Sequence, residues 1–172
     1  MNNIEQHIYA SATEQKIWSI LATVVDPEVP VLTILDLGIV RAVKVDDTEI
    51  EIIITPTYTG CPAMDMIAIN IRLALAEQGY KQVKVTSVLS PAWTTDWMTE
   101  AGKEKLKQYG IAPPNPKQQV SNNTLFAVHE AVECPHCNSH HTHRISEFGS
   151  TACKALYQCD DCKEPFDYFK CH

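Results

Sequence analysis

The chain has 172 residues, of which 45% are hydrophobic and 20% charged, so it can bury a core and is not disordered as a whole. Its formal net charge of −7 disfavours a nucleic-acid partner, because the phosphates would be repelled. The sequence has no run of about 18 to 20 apolar residues, which a membrane span requires, and its first residues lack the pattern of a signal peptide. We therefore expect a cytoplasmic globular protein with neither a nucleic-acid nor a membrane partner.

The first predicted element is a helix that begins at Ser11. Ser11 followed three residues later by Glu14 is a capping-box pattern, and apolar residues recur behind it at helical spacing. The helix must end before Pro27, because proline lacks an amide donor and constrains the residue before it. The two prolines within residues 26–30 predict a structured loop there.

Two strands are predicted after this loop, at residues 38–45 and 49–55. In the second strand, isoleucines alternate with Glu49 and Glu51, which is the two-residue period of a half-buried strand. The acidic pair at 46–47 predicts a turn between the strands. The two segments should therefore form a hairpin.

A helix over residues 63–78 and a third strand over 81–89 follow the hairpin. Strand, helix and strand in this order predict a parallel crossover, and so a three-stranded mixed sheet. Few polar residues interrupt this helix, so we expect it to be the most buried one. A further helix is predicted over residues 94–109.

These elements predict an α+β protein with a small α/β layer domain over residues 1–110. Residues 111–124 are rich in proline, asparagine and glutamine, which predicts a linker. Residues 125–172 form a module that is too short for a large hydrophobic core, so its fold needs an additional stabilising element such as a bound metal.

Six of the seven cysteines lie in this C-terminal module. Cys134-x2-Cys137 and Cys159-x2-Cys162 are separated by 21 residues, which is the spacing of a zinc ribbon in which four thiolates hold Zn(II). The CPHC sequence at 134–137 is also found in thiol-disulfide oxidoreductases, but those enzymes place it at the start of a helix, and none is predicted here. Cys153 and Cys171 are not needed for a site with four ligands. They are either buried small side chains or ligands for a transiently bound metal.

The seventh cysteine, Cys61, is expected beside the N-terminus of the helix that follows Pro62. Unsatisfied amides at a helix start favour an anion, so a thiolate would form more readily there. That property suits a nucleophile or a labile metal ligand. The alternative is a buried, inert cysteine.

Two segments, DPEVPVLTILDLGIV (26–40) and TPTYTGCPAMDMI (55–67), resemble the small α/β domain of iron-sulfur assembly proteins of the SufT and cytosolic targeting type. Together with SEFGSTACKALYQCDDCKEPFDYFKCH (146–172), the chain resembles the PaaD family of the phenylacetyl-CoA epoxidase system. The resemblance implies that the family's reactive cysteine is Cys61. It also implies that the family's two motif turns correspond to Asp26, Pro27 and Glu28 and to Asp36 and Gly38.

The resemblance implies an accessory factor without turnover of its own, which assists maturation of the epoxidase machinery in aerobic phenylacetate degradation. Cys61, with Cys153 and Cys171 as further candidates, would bind iron or an iron-sulfur cluster transiently, while the ribbon holds a permanent metal. The partners would be epoxidase subunits or the iron-sulfur reductase. Two alternatives remain, a zinc-only structural adaptor and a thiol-disulfide oxidoreductase acting through Cys134 and Cys137. The sequence leaves the oligomeric state open.

Overall fold

A computed structural model of the chain describes residues 11–46, 49–114 and 132–170. The chain divides into two units, residues 1–93 and residues 94–172. Within the described ranges no helix is long and apolar enough to cross a membrane.

The first unit is built on a three-stranded sheet with the strand order β1-β2-β3. β1 is antiparallel to β2, which confirms the predicted hairpin, and β2 is parallel to β3, which confirms the mixed sheet. The register of β1 shifts between Val40 and Ala42, so Arg41 lies in a bulge. In chain order the elements are α1 (Ala12–Leu21), β1 (Val40–Val45), β2 (Ile50–Ile54), α2 (Ala63–Glu77) and β3 (Val83–Ser87).

Helix α1 begins where the capping pattern predicts. The hydroxyl of Ser11 accepts a hydrogen bond from the amide of Glu14 at 3.2 Å, which satisfies one of the free amides of the first turn. Ile17 and Leu21 are fully buried on the face that packs against β1 and α2. The capping pattern at Ser11 and the burial of one apolar face therefore both favour a helix at this place in the chain.

Helix α2 has four buried residues, more than α1 or α3, as expected, but it buries only one of its faces. Its buried residues are Ala63, Ile67, Ile71 and Leu75, which recur every fourth position. The helix packs against β3 and α1, and most residues on its opposite side are exposed. Three large apolar side chains on α2 therefore remain exposed to solvent: Met66, Ile69 and Leu73.

The second unit contains a four-stranded sheet with the strand order β4-β7-β6-β5. β6 pairs antiparallel with both β5 and β7, while the two-residue β4 pairs parallel with β7. The ring of Tyr157 stacks on Phe166 in a small core that also contains two of the cysteines. After a 3₁₀ turn (Thr95–Trp97), the elements are α3 (Glu100–Gln108), β4 (Ile111–Ala112), β5 (Thr142–Ser146), β6 (Lys154–Cys159) and β7 (Pro165–Phe169).

The segment before the ribbon differs from its prediction in three ways. The helix predicted over 94–109 is interrupted, because the hydroxyl of Thr99 accepts a hydrogen bond from the amide of Gly102 and caps a separate helix. This helix, expected at the end of a domain 1–110, lies in the second unit. The first two residues of the predicted linker 111–124 form β4, because their backbone pairs with β7. The linker beyond residue 114 lies outside the described residues.

Gly149 lies where the chain passes close to a mostly buried ion pair. The ammonium of Lys154, whose side chain is 8% exposed, is 3.4 Å from the carboxylate of Asp167. A Cβ atom on Gly149 would lie 2.8 Å from Oδ1 of Asp167 and 3.3 Å from Cβ of Lys154. A methyl group has no room at this position.

We therefore expect Gly149→Ala to lower the free energy of unfolding by about 1 to 3 kcal/mol, because the added methyl displaces the ion pair from its buried position. The measurement is thermal unfolding of the metal-loaded protein, with the neighbouring exposed Ser150→Ala as control. Equal stability of the two variants would contradict the close packing described here.

Candidate metal centre

Four cysteine sulfurs meet at one end of the second unit. The Sγ atoms of Cys134, Cys137, Cys159 and Cys162 all lie within 4.8 Å of one another. Cys134 and Cys137 lie in a turn before β5, Cys159 is the last residue of β6, and Cys162 lies in the turn between β6 and β7. The fold thus brings together the four cysteines whose spacing indicates a ribbon.

The spacing of these sulfurs fits a tetrahedral metal ion. Zinc-thiolate bonds of about 2.3 Å imply sulfur-sulfur edges of about 3.8 Å in a regular tetrahedron. The distance between the sulfurs of Cys134 and Cys162 is 3.8 Å, and that between the sulfurs of Cys137 and Cys159 is 3.6 Å. Four sulfur donors without a free position suit a closed structural zinc site better than a catalytic one.

The two turns that carry the cysteines have the same hydrogen-bond pattern. In each turn, the amide of the first cysteine donates to the carbonyl five residues later, and its own carbonyl accepts from the amide four residues later. That fourth residue has a positive φ in both turns, 60° at Asn138 and 68° at Lys163. Equivalent backbones thus present two cysteines each from the two sides of the site.

The thiols of the site differ in acidity. The pKa of Cys159 is lowered to about 7, chiefly because the backbone amide of Cys162 donates a hydrogen bond to its sulfur. Burial raises the pKa of Cys134, which is fully enclosed. Metal coordination requires thiolates, so metal binding at this site releases protons.

Polar side chains outside the sulfur cluster tie the two turns together. The carboxylate of Asp161, in the second turn, accepts a hydrogen bond from the hydroxyl of Ser139 and lies 3.2 Å from Nδ1 of His141. These contacts lower the pKa of Asp161, with the Ser139 hydroxyl as the main cause. Nδ1 of His143 lies 2.9 Å from the carboxylate of Asp160. These two histidines therefore contact carboxylates of the second turn, and neither belongs to the four-sulfur cluster.

The CPHC segment has the geometry of a metal turn. Residues 135–137 form a turn and not the first turn of a helix, and the sulfur of Cys134 is fully buried. In oxidoreductases of this type the attacking thiolate is accessible to solvent and lies at a helix N-terminus, whereas Cys134 is buried and lies before a turn. The geometry argues against the thiol-disulfide alternative.

The spare cysteine Cys153 is buried in the ribbon and separate from the four-sulfur cluster. Its Sγ lies 3.0 Å from the hydroxyl of Thr151, and its carbonyl accepts a hydrogen bond from the amide of Lys170. Cys171 lies outside the described residues. A transient metal role for either residue stays a prediction.

Cys61 lies in a turn that leads into α2, in the first unit. Its amide donates to the carbonyl of Tyr58 at 3.3 Å, and its carbonyl accepts from the amide of Met64 at 3.2 Å. Gly60 before it has a φ of 81°, which L side chains rarely adopt. The helix starts at Ala63 without a side-chain cap. Cys61 is partly exposed, so the alternative of a buried cysteine does not describe it.

The two motif turns are held by their own aspartates. Oδ1 of Asp26 accepts hydrogen bonds from the amides of Glu28 and Val29, both at 2.8 Å, and thereby closes the turn around Pro27. Oδ2 of Asp36 accepts hydrogen bonds from the amide and the hydroxyl of Thr33, both at 2.9 Å. Both carboxylates thus have a structural role.

Two further residues near these turns, Trp93 and Thr55, are not among the predicted site residues. The indole of Trp93 donates a hydrogen bond to the carbonyl of Leu37 at 2.8 Å. Leu37 precedes Gly38, which has a φ of 66° and ends the motif turn that contains Asp36. Thr55 is buried at the end of β2, and its hydroxyl has no hydrogen-bond partner among the described residues. Such an orphaned hydroxyl is rare. The only sequence signal for it is its position at the start of the TPTYTGCP segment.

Comparisons with known proteins divide the chain in two. Residues 14–89 match the model of a family described as "Iron-sulfur cluster assembly protein", and residues 118–170 match that of the "PaaD zinc beta ribbon domain". The first match contains Cys61, and the second contains the four clustered cysteines.

Several relatives extend this picture. An Escherichia coli (strain K12) protein, named as a putative subunit of 1,2-phenylacetyl-CoA epoxidase, is 51% identical over 91% of this chain and 92% of its own length. A "Fe-S protein maturation auxiliary factor" of Porphyromonas gingivalis is 38% identical over 51% of this chain and 85% of its own length. A crystal structure titled "Domain of Unknown Function DUF59 from Bacillus anthracis" has a TM-score of 0.52 at 30% identity, over 55% of this chain and 92% of that one.

Proposed function

Because this chain belongs to the PaaD family, in which an iron-sulfur cluster assembly domain precedes a zinc β-ribbon, we propose that it loads iron or an iron-sulfur cluster into the phenylacetyl-CoA epoxidase system. The names of its relatives support an accessory role in iron-sulfur assembly. The client we propose is the iron-sulfur reductase of that system.

The observation that carries the proposal is the contrast between two kinds of thiol site in one chain. The four-cysteine site is closed, because four sulfurs within 4.8 Å of one another can supply all four ligands of a tetrahedral metal ion. Cys61 is partly exposed and is not part of any group of three or more metal-binding side chains in the described ranges. A single thiolate leaves the other positions of an iron ion open, so cargo can be passed to a client.

The zinc ion would be held by Cys134, Cys137, Cys159 and Cys162. It supplies folding free energy to a unit with a small core and has no redox chemistry of its own. The zinc would then be a permanent structural ion, and it would keep the ribbon folded for docking to a client.

Cys61 would act on the cargo by ligand exchange. Its thiol loses a proton to solvent and its sulfur binds iron, and the thiolates of the client then replace it while Cys61 regains a proton. Because iron-sulfur clusters usually take four cysteine ligands, Cys61 alone cannot retain one. Weak retention is what a transfer protein requires.

A zinc-only adaptor is the second candidate, and the closed four-cysteine site favours it. As an adaptor, the chain would join the epoxidase subunits and never handle iron. The two candidates differ in what happens to the client when the chain is missing.

The experiment is to purify the reductase from a strain that lacks this chain and to measure its iron and sulfide. The proposal predicts a reductase with little iron, which regains its iron when the chain is supplied from a plasmid. A fully loaded reductase that fails to assemble with the other subunits would favour the adaptor.

The isolated chain should consume no oxygen with phenylacetyl-CoA and a reductant, and turnover of that substrate would refute an accessory role.

A further inference from the structure

The exposed face of α2 carries an apolar stripe. Met66, Ile69 and Leu73 are 49%, 46% and 57% exposed and lie at positions i, i+3 and i+7, so they form one line along the helix. A groove of about 460 Å³ runs beside the stripe, between α2 and β3. Scattered exposed apolar side chains are ordinary, but a continuous line beside a groove is typical of a contact surface.

Two opposite charges flank this stripe on the side of the groove. Asp65 and Arg72 both line the groove and are seven residues apart, so they lie on the same side of α2, two turns from each other. Both are exposed, and neither forms an ion pair within the ranges that the structure describes. The stripe thus has a negative charge near its N-terminal end and a positive charge near its C-terminal end.

We propose that this face of α2 binds the same face of a second copy of the chain. A twofold axis that lies between the two copies, perpendicular to α2 and level with the midpoint between residues 68 and 69, makes the helices antiparallel and keeps the groove sides together. Asp65 of one copy then faces Arg72 of the other, twice in each dimer, while the two apolar stripes cover each other. A parallel arrangement would instead oppose like charges.

The size of the stripe sets the strength of this contact. A standard interface buries about 800 Å² of surface on each partner. Three partly exposed side chains and two charge pairs bury much less than that. The dimer should therefore be weak, and its formation should depend on protein concentration.

The geometry also separates the two Cys61 thiols. Ala63, the first residue of α2, lies about 8 Å along the helix from the twofold axis, so the two Ala63 residues are about 16 Å apart along it. Cys61 precedes α2 on each copy, so the two thiols are at opposite ends of the contact. One iron ion or cluster cannot bridge them in this dimer, and each copy handles its own cargo.

The test is sedimentation equilibrium of the full chain at concentrations from about 10 µM to about 1 mM, the range in which a weak contact becomes populated. The mass of the wild-type chain should rise toward that of a dimer. Asp65→Arg and Arg72→Asp should each raise the dissociation constant at least about tenfold, because each opposes like charges. The double variant Asp65→Arg/Arg72→Asp should dimerise like the wild type, and an equal mixture of the two single variants should form a heterodimer.

Glu49→Arg, which changes an exposed charge just before β2 by the same amount, is the matched control and should dimerise normally. Leu73→Ser should weaken the dimer without changing its charge. A wild-type chain that stays monomeric at about 1 mM would overturn the proposal and leave the face to another partner. Single charge variants that dimerise as well as the wild type would also overturn it.

Discussion

Cys162→Ser should release the zinc and unfold the second unit. A structural zinc contributes about 10 to 16 kcal/mol of apparent folding free energy in zinc-finger peptides. The free energy of unfolding of a whole domain is of the same size, about 5 to 15 kcal/mol. Because β4 pairs with β7, we expect protease sensitivity to begin near residue 94 and not only after residue 125. Zinc analysis and limited proteolysis with mapped cleavage sites measure both effects.

Cys153→Ser is the matched control, because it also removes a buried ribbon thiol but lies outside the four-sulfur cluster. It should keep its zinc and a resistant second unit, and so should Cys171→Ser. Full zinc and a resistant tail in Cys162→Ser would show that the assignment of the four ligands is wrong. Loss of zinc in Cys153→Ser or Cys171→Ser would place one of those residues in the site.

Cys61→Ser should fold and bind zinc normally while leaving the epoxidase reductase without iron. Serine nearly preserves the volume of the side chain, and Cys61 is partly exposed, so little packing is lost. The hydroxyl does not ionise near neutral pH and is a poor ligand for iron, so the transfer step is lost. The measurement is the iron content of the reductase purified from a strain whose only copy of the chain carries Cys61→Ser.

A complementary measurement follows the thiol itself. Cys61 should alkylate in the folded protein, whereas Cys153 should react only on unfolding because it is buried. Normal iron loading of the reductase in the Cys61→Ser strain would remove the central residue of the transfer mechanism. The zinc-only adaptor would then be the better account of the chain.

The elements set by local signals could be predicted from the sequence. The capping pattern at Ser11 fixes the start of α1, and the alternation of residues 49–55 fixes β2, since both depend on neighbours in the chain. Four cysteines in two pairs predict a metal site without knowledge of the sheet, because any fold that binds the metal must bring them together. That spacing therefore predicts the site even where the surrounding strands are not predicted.

The remaining features depend on contacts between distant residues. The two residues of β4 carry no strand pattern and are ordered by pairing with β7, so composition alone assigns them to a linker. The apolar residues nearly all round α2 predict the most buried helix, but they do not show which of its sides the first unit leaves exposed. The motif aspartates Asp26 and Asp36 could be placed in turns, whereas their hydrogen bonds to nearby amides and to Thr33 could be seen only in the structure.

The transfer of iron through Cys61 is the central claim, and metal loading of the purified chain tests it most directly. Wild type, Cys61→Ser and Cys153→Ser would be purified without oxygen, dialysed to equilibrium against ferrous iron and sulfide, and analysed for bound zinc, bound iron and visible absorbance, because a weakly held ion is lost on desalting. The account predicts about one zinc per chain in all three proteins, with iron and absorbance in the wild type and in Cys153→Ser and neither in Cys61→Ser. Equal iron in Cys61→Ser and the wild type, or no iron in the wild type, would contradict it.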